Sequence, residues 1–259
     1  LLLLHLPDVL AMIQHTTTGR RAQPHHHLTH RRLAAAALPD QAQRFALADL
    51  GPAALRARLA YVADWPAAVT DRSLTARLVT TVYQATENSG EVTRAAARAV
   101  AEGLGTHHHE FDVDVLHRDY LRLVERAIGR PLDWASDDVA LQNIQARVRS
   151  PGVWMLANLQ SALLLCTSNR SEAAVGYATM DGDTSGGLSP IAGIDKAYLR
   201  EWLRWLETTG PDGAGPLPCL AAINTQQPTA ELRPPGERQT DEADLMPYPV
   251  LDAIERAAI

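Results

Sequence analysis

Thr167 and Glu172 are the residues whose types and spacing best suit chemistry in this 259-residue chain. Both follow ALLLCT (162–167), a continuous apolar run of strand length and the mark of a central parallel strand buried on both faces. In an open α/β sheet, ligands sit beyond the carboxyl ends of the strands. Thr167 is expected at that end, with its hydroxyl and backbone able to contact a nucleotide. Glu172, five residues on and in the first turn of the next helix, offers a carboxylate to Mg²⁺, a hard cation that takes one or two such oxygens when it bridges phosphates. The alternative is that Glu172 only complements the helix dipole.

Upstream, Asn143 and Arg147 in LQNIQARVR are four residues apart and share one helix face, with Arg149 close by. A guanidinium there could grip a phosphate or a carboxylate bidentately, or belong to a solvated face. GDTSGG (182–187) is no phosphate loop of the Ser-Gly-Gly-x-Asp-Ser kind, because Ser185-Gly186-Gly187 is followed by Leu-Ser-Pro, with no Asp at the place that motif needs one. It reads as a flexible turn. His25–His27 with His30, and His107–His109, invite a metal reading. Alternation along a strand lets 107 and 109 share an ion while 108 cannot, and an incidental or structural role is expected for both clusters.

The elements that must position these residues alternate between strands and helices, which predicts an α/β fold with a parallel sheet flanked by helices. Residues 1–40 read as an irregular, His-rich segment and 41–259 as one domain. QAQRFALADL reads as a helix stopped at Gly51-Pro52. Ser73 reads as the N-cap of a helix whose apolar positions are 74, 78, 79 and 82, and Ser89 as the cap of EVTRAAARAVAEGL, closed by Gly105. HHHEFDV is a short strand. VLHRDYLRLVERAIG is an amphipathic helix with apolar positions 115, 121, 123, 124 and 128. Asp137 and Asp138 cap a helix that Ser150-Pro151-Gly152 kinks or ends. From Pro211 to Pro249 the chain is Pro- and Gly-rich loop.

A formal charge of −6 argues against a non-specific nucleic-acid binder. Two cysteines, Cys166 and Cys219, read as reduced thiols of a cytoplasmic protein. The opening LLLLHLPDVLAMI lacks a basic n-region and is broken by His5, Pro7 and Asp8, so it is neither a signal peptide nor a membrane span.

TSNRSEAAVGYATMDGDTSGGLSPI, INTQQPTAELRP, QTDEADL and YPVLDAI, in that order, resemble the synthetase domain of NAD(+) synthases. YQATENSGEVTRAAARAVAEGLG and LQNIQARVR resemble its glutamine-dependent branch. The likeness runs from about Phe45 to the last residue. It implies an adenine nucleotide alpha hydrolase-like fold, a homo-oligomer, ATP and Mg²⁺ as cofactors, and a two-step ligation. Deamido-NAD is adenylated, and ammonia from glutamine then displaces AMP. Carried over residue by residue, Thr167, Lys196 and Thr229 contact ATP, Asn143, Arg147 and Glu172 hold deamido-NAD, and Glu172 serves the metal.

Departures accompany the likeness. The Ser-Gly-Gly-x-Asp-Ser loop is missing, and before FALADLG the chain reads HHHLTHRRLAAAALPDQ, with no glycine nest. A glutaminase domain and a basic C-terminal segment are not found. Met180 stands where the ammonia-dependent branch has lysine. The first residue is Leu, not Met. These points lead us to expect a fragment or frameshifted copy, a weak catalyst. Rival expectations are a GMP synthase-like amidotransferase and an inactive binding or dimerisation module.

Overall fold

The computed structural model describes residues 2–5, 71–211, 215–234 and 239–258. Its sheet has the order β3-β2-β1-β4. Strand β1 is Leu2–His5, and helix α1 (Asp71–Leu78) leads into β2 (Val79–Ala85). Helix α2 (Glu91–Leu104) crosses to β3 (His107–Asp112), and α3 (Asp114–Ile128), α4 (Trp134–Val148) and α5 (Ser150–Leu159) lead to β4 (Ala162–Leu165). Then come α6 (Arg170–Val175), α7 (Lys196–Thr208), a 3₁₀ turn (Pro218–Leu220), α8 (Ala221–Asn224), α9 (Asp241–Asp244) and α10 (Tyr248–Ala258).

The α/β class expected from the sequence is observed. β2 and β3 are parallel, and β1 lies between β2 and β4, antiparallel to both. β2, β3 and β4 therefore share one direction. Among the described residues β4 is not central, as expected of it, but ends the sheet order, although Leu164 and Leu165 are buried. Its outer edge is covered by the 186–188 segment through a parallel bridge between Leu165 and Leu188.

Several local expectations need correction. The helix holding Ser73 stops at Leu78 because VTTV is β-branched and pairs as β2, so positions 79 and 82 belong to the sheet. The N-cap of α2 is Gly90, whereas Ser89 Oγ accepts a bond from Thr86 N. The cap of α4 is Asp133, and Asp137 sits at a kink with φ −119°. On α3, Leu121 is half-buried as expected, but Val115 is 60% and Leu123 is 54% exposed, as the helix turns Asp114 and His117 inward. The break at Ser150-Pro151 is found as expected, with Pro151 in the first turn of α5.

A cluster of Val82, Val153, Ala157 and Leu164, with Phe111 against it, fixes α5 on the sheet. That packing locates the carboxyl end of β4, where the site begins. Among the described residues no helix is long and apolar enough to cross a membrane. QAQRFALADL, HHHLTHRRLAAAALPDQ, His25–His27 and His30 lie outside the described residues.

Candidate active site

Beyond β4 the chain turns at Thr167 and enters α6 through a capping box. Asn169 Oδ1 accepts a bond from Glu172 N at 3.1 Å, and Glu172 Oε2 accepts one from Asn169 N at 3.2 Å. The box fixes the Glu172 side chain and leaves Oε1 to Lys196 Nζ, 2.8 Å away. Lys196 is the first residue of α7, capped by Asp195. Ser171 locks the two helix starts together. Its Oγ donates to Asp252 Oδ1 at 2.8 Å and accepts from Lys196 N at 2.9 Å, while Asp252 Oδ2 takes Ala197 N at 3.0 Å.

Thr167, Glu172, Lys196 and Thr229 all line one cavity of about 610 Å³. Arg149, Asp183, Arg200 and Arg204 line it too. The PTAEL segment that carries Thr229 is held by Gln145 of α4, which is fully buried. Gln145 Nε2 donates to Leu232 O at 2.6 Å, and its Oε1 accepts from Asn88 Nδ2 at 2.9 Å. On the far side Glu231 anchors the same segment to α2, accepting from Thr93 Oγ1 at 2.8 Å.

The electrostatics of the cavity are mixed. Burial holds the Arg149 guanidinium below its ordinary pKa, yet it stays charged, with Nε donating to Gln84 O at 3.1 Å. Asp183 lines the cavity, where neighbouring protein crowds its carboxylate although the residue as a whole is exposed. That burial raises its carboxyl, and the negative charge of Glu172 adds to the rise. Burial also raises Asp241, which accepts from Tyr248 OH at 2.7 Å and lies 3.9 Å from Lys196 Nζ. Lys196 sits 5.7 Å above the Tyr248 ring. Cations for phosphate and carboxylates for a hard metal thus share one wall-to-wall space.

Asn143 and Arg147 lie outside this lining. Thr179 Oγ1 donates to Asn143 Oδ1 at 2.8 Å, and Arg147 Nε donates to Met180 O at 3.1 Å. Both hold the 179–183 loop, whose Asp183 reaches the cavity. The GDTSGG segment is packed, not a free turn. A Cβ on Gly186 would stand 2.7 Å from Cys166 N, and Trp154 Nε1 donates to Ser185 Oγ at 2.7 Å. Gln145, Asp183 and Asp241 are the contributors that the sequence did not flag. Asp183 was visible only as the acid inside a glycine-rich loop. His107 and His109 do share a strand face, with ring centroids 4.6 Å apart, and join no cluster of three metal-type side chains among the described residues.

A family model described as NAD synthase matches residues 64–257. The glutamine-dependent NAD(+) synthetase of Aquifex aeolicus (strain VF5) is 35% identical over 173 residues, covering 67% of this chain and 28% of that protein. The enzyme of that name from Rhodobacter capsulatus is 41% identical over 135 residues, covering 51% of this chain and 24% of its own length. The chain therefore spans about a quarter of the length of these relatives. A crystal structure of a glutamine-dependent NAD(+) synthetase from Cytophaga hutchinsonii superposes with a TM-score of 0.69 at 41% identity, over 87% of this chain and 36% of that one. NMN synthetase from Francisella tularensis shares the fold, with a TM-score of 0.57 at 20% identity over 69% of this chain and 66% of that one.

Proposed function

Because the chain belongs to the NAD synthase family, we propose that it is the synthetase part of an ATP-dependent ligase that amidates deamido-NAD to NAD(+). One observation carries this reading: Thr167, Glu172, Lys196 and Thr229, from separate segments, converge on one cavity. In it, Thr167, Lys196 and Thr229 contact ATP, while Asn143, Arg147 and Glu172 hold deamido-NAD. Asn143 and Arg147 would do so from the rim, beside the 179–183 loop that they bind.

The nicotinate carboxylate attacks the α-phosphate of ATP, pyrophosphate leaves, and ammonia then displaces AMP from the adenylate. Lys196 and Arg149 neutralise phosphate charge, and the capping box keeps Glu172 aimed at the same space. Glu172 and Asp183 fit Mg²⁺, since their mutual repulsion is what a divalent cation relieves. A bound magnesium ion would supply charge neutralisation for the phosphates. Ammonia from glutamine, a cytoplasmic setting and self-association complete the reading. The exposed Met155 and Leu159 of α5 support the last of these.

The test is a pyrophosphate-release assay on the chain with ATP, Mg²⁺, deamido-NAD and ammonium. NAD(+) should form when ammonium is supplied. Release no greater than that of Lys196→Ala rejects the reading. A second reading, nucleotide binding without turnover, is favoured by the absence of any Ser-Gly-Gly-x-Asp-Ser stretch. Calorimetric ATP binding with no pyrophosphate released would be its signature.

A further inference from the structure

Away from the nucleotide cavity, the start of α3 meets the loop that follows β2. Asp114 and His117 are one turn apart on the inner side of α3, and Glu87 stands in the loop. One ligand-type atom of each lies within 4.8 Å of the others. His117 is only 2% exposed, and among the described residues neither of its ring nitrogens has a hydrogen-bond partner. A buried imidazole rarely goes unbonded.

We propose that Glu87, Asp114 and His117 bind a divalent first-row transition-metal ion of the Zn²⁺ type. One imidazole and two carboxylates suit such an ion better than Mg²⁺, which prefers oxygen and water. Asp114 is already oriented as ligands are in metal sites. Its Oδ1 accepts from Glu87 N at 3.0 Å, and its Oδ2 pairs with Arg118 at 2.7 Å. Ligands of a tetrahedral Zn²⁺, at roughly 2.1 Å from the metal, stand about 3.4 Å apart. The exposed Glu87 side chain is the one free to close that distance. The ion would stiffen residues 86–89. Thr86 and Asn88 bond Gln145, the clamp on the PTAEL segment, and Ser89 lines the cavity, so the site would act on the cavity through this loop.

The test titrates metal-free chain with Zn²⁺ by calorimetry, while the His117 ring is followed by ¹⁵N NMR. Wild type should show a site that Glu87→Gln weakens at least tenfold and His117→Asn removes, and that His107→Asn/His109→Asn leaves intact. The His117 ring signals should shift on addition of Zn²⁺. Should His117→Asn fail to fold, the exposed Glu87 position and the ring signals still decide. If Glu87→Gln leaves Zn²⁺ binding unchanged, or if the His117 ring does not respond, the proposal is wrong.

Discussion

Lys196 Nζ stands 2.8 Å from Glu172 Oε1, joining the first turns of two helices across 24 residues of chain. The pair is partly buried on the cavity wall, and each partner is fixed from elsewhere. Glu172 is held by its capping box with Asn169, and Lys196 by Ser171 at its backbone. The salt bridge therefore holds a cation on the wall of the cavity proposed for ATP.

Lys196→Ala should lower kcat/KM for ATP about 100-fold, the loss expected of one charge-assisted hydrogen bond worth roughly 1.5–3 kcal/mol. Steady-state pyrophosphate release measures it. A change under threefold would mean that the lysine serves only Glu172.

Ser171→Ala removes a fully buried hydroxyl that serves both Asp252 and the α7 backbone. Two buried polar groups then lose a partner, at a cost of roughly 1–3 kcal/mol. Urea denaturation should show a lower midpoint at unchanged slope. A midpoint equal to that of wild type would show that the helix starts are held together by other contacts.

Gly186→Ala places a methyl 2.7 Å from Cys166 N and 3.1 Å from Leu164 O. Both neighbours are backbone atoms at the end of β4 and cannot move without shifting Thr167. The expected loss is about 1–3 kcal/mol of stability, with a fall in ATP affinity beyond what residual unfolding explains. Thermal melts and calorimetry on the same sample separate the two effects.

The site was legible where chemistry follows a buried apolar run. ALLLC pointed to Thr167 and Glu172, and the structure brings Lys196 and Thr229 to them. What failed was local. VTTVY has apolar spacing that also suits a helix, but β-branched residues pair better in the sheet. Ser89 looks like a cap, yet the turn is closed by Ser89 bonding back to Thr86. Gln145 acts through long-range partners, and no periodicity records which distant loop a buried Gln will hold.

Stability should fall as pH drops from about 7 to 5, partly through His108. Its ring bonds Thr81 Oγ1 at 2.8 Å and lies 3.9 Å from Glu110, and burial outweighs that carboxylate to hold its pKa below the ordinary 6.5. Arg98 and His109 push it the same way. The unfolded chain therefore binds more protons below about pH 6.5, and folding loses stability from there downward. His108→Gln should flatten that slope in urea melts taken at several pH values. An unchanged slope would assign it to other groups.

Arg147 and Arg149 lie two residues apart and face different work. Arg149 lines the cavity and donates to Gln84 O, whereas Arg147 is exposed and donates to Met180 O. Arg149→Lys keeps the charge and loses the planar fork, so the Gln84 carbonyl and the phosphate site should both suffer, with at least a tenfold rise in KM for ATP. Arg147→Ala should leave KM for ATP within twofold and raise KM for deamido-NAD about tenfold, as a rim residue gripping the nicotinate carboxylate would. Separate KM titrations of the two substrates decide between them. If Arg147→Ala changes neither constant while Arg149→Lys raises both, the carboxylate belongs to Arg149, and Arg147 serves only to hold the loop that carries Asp183.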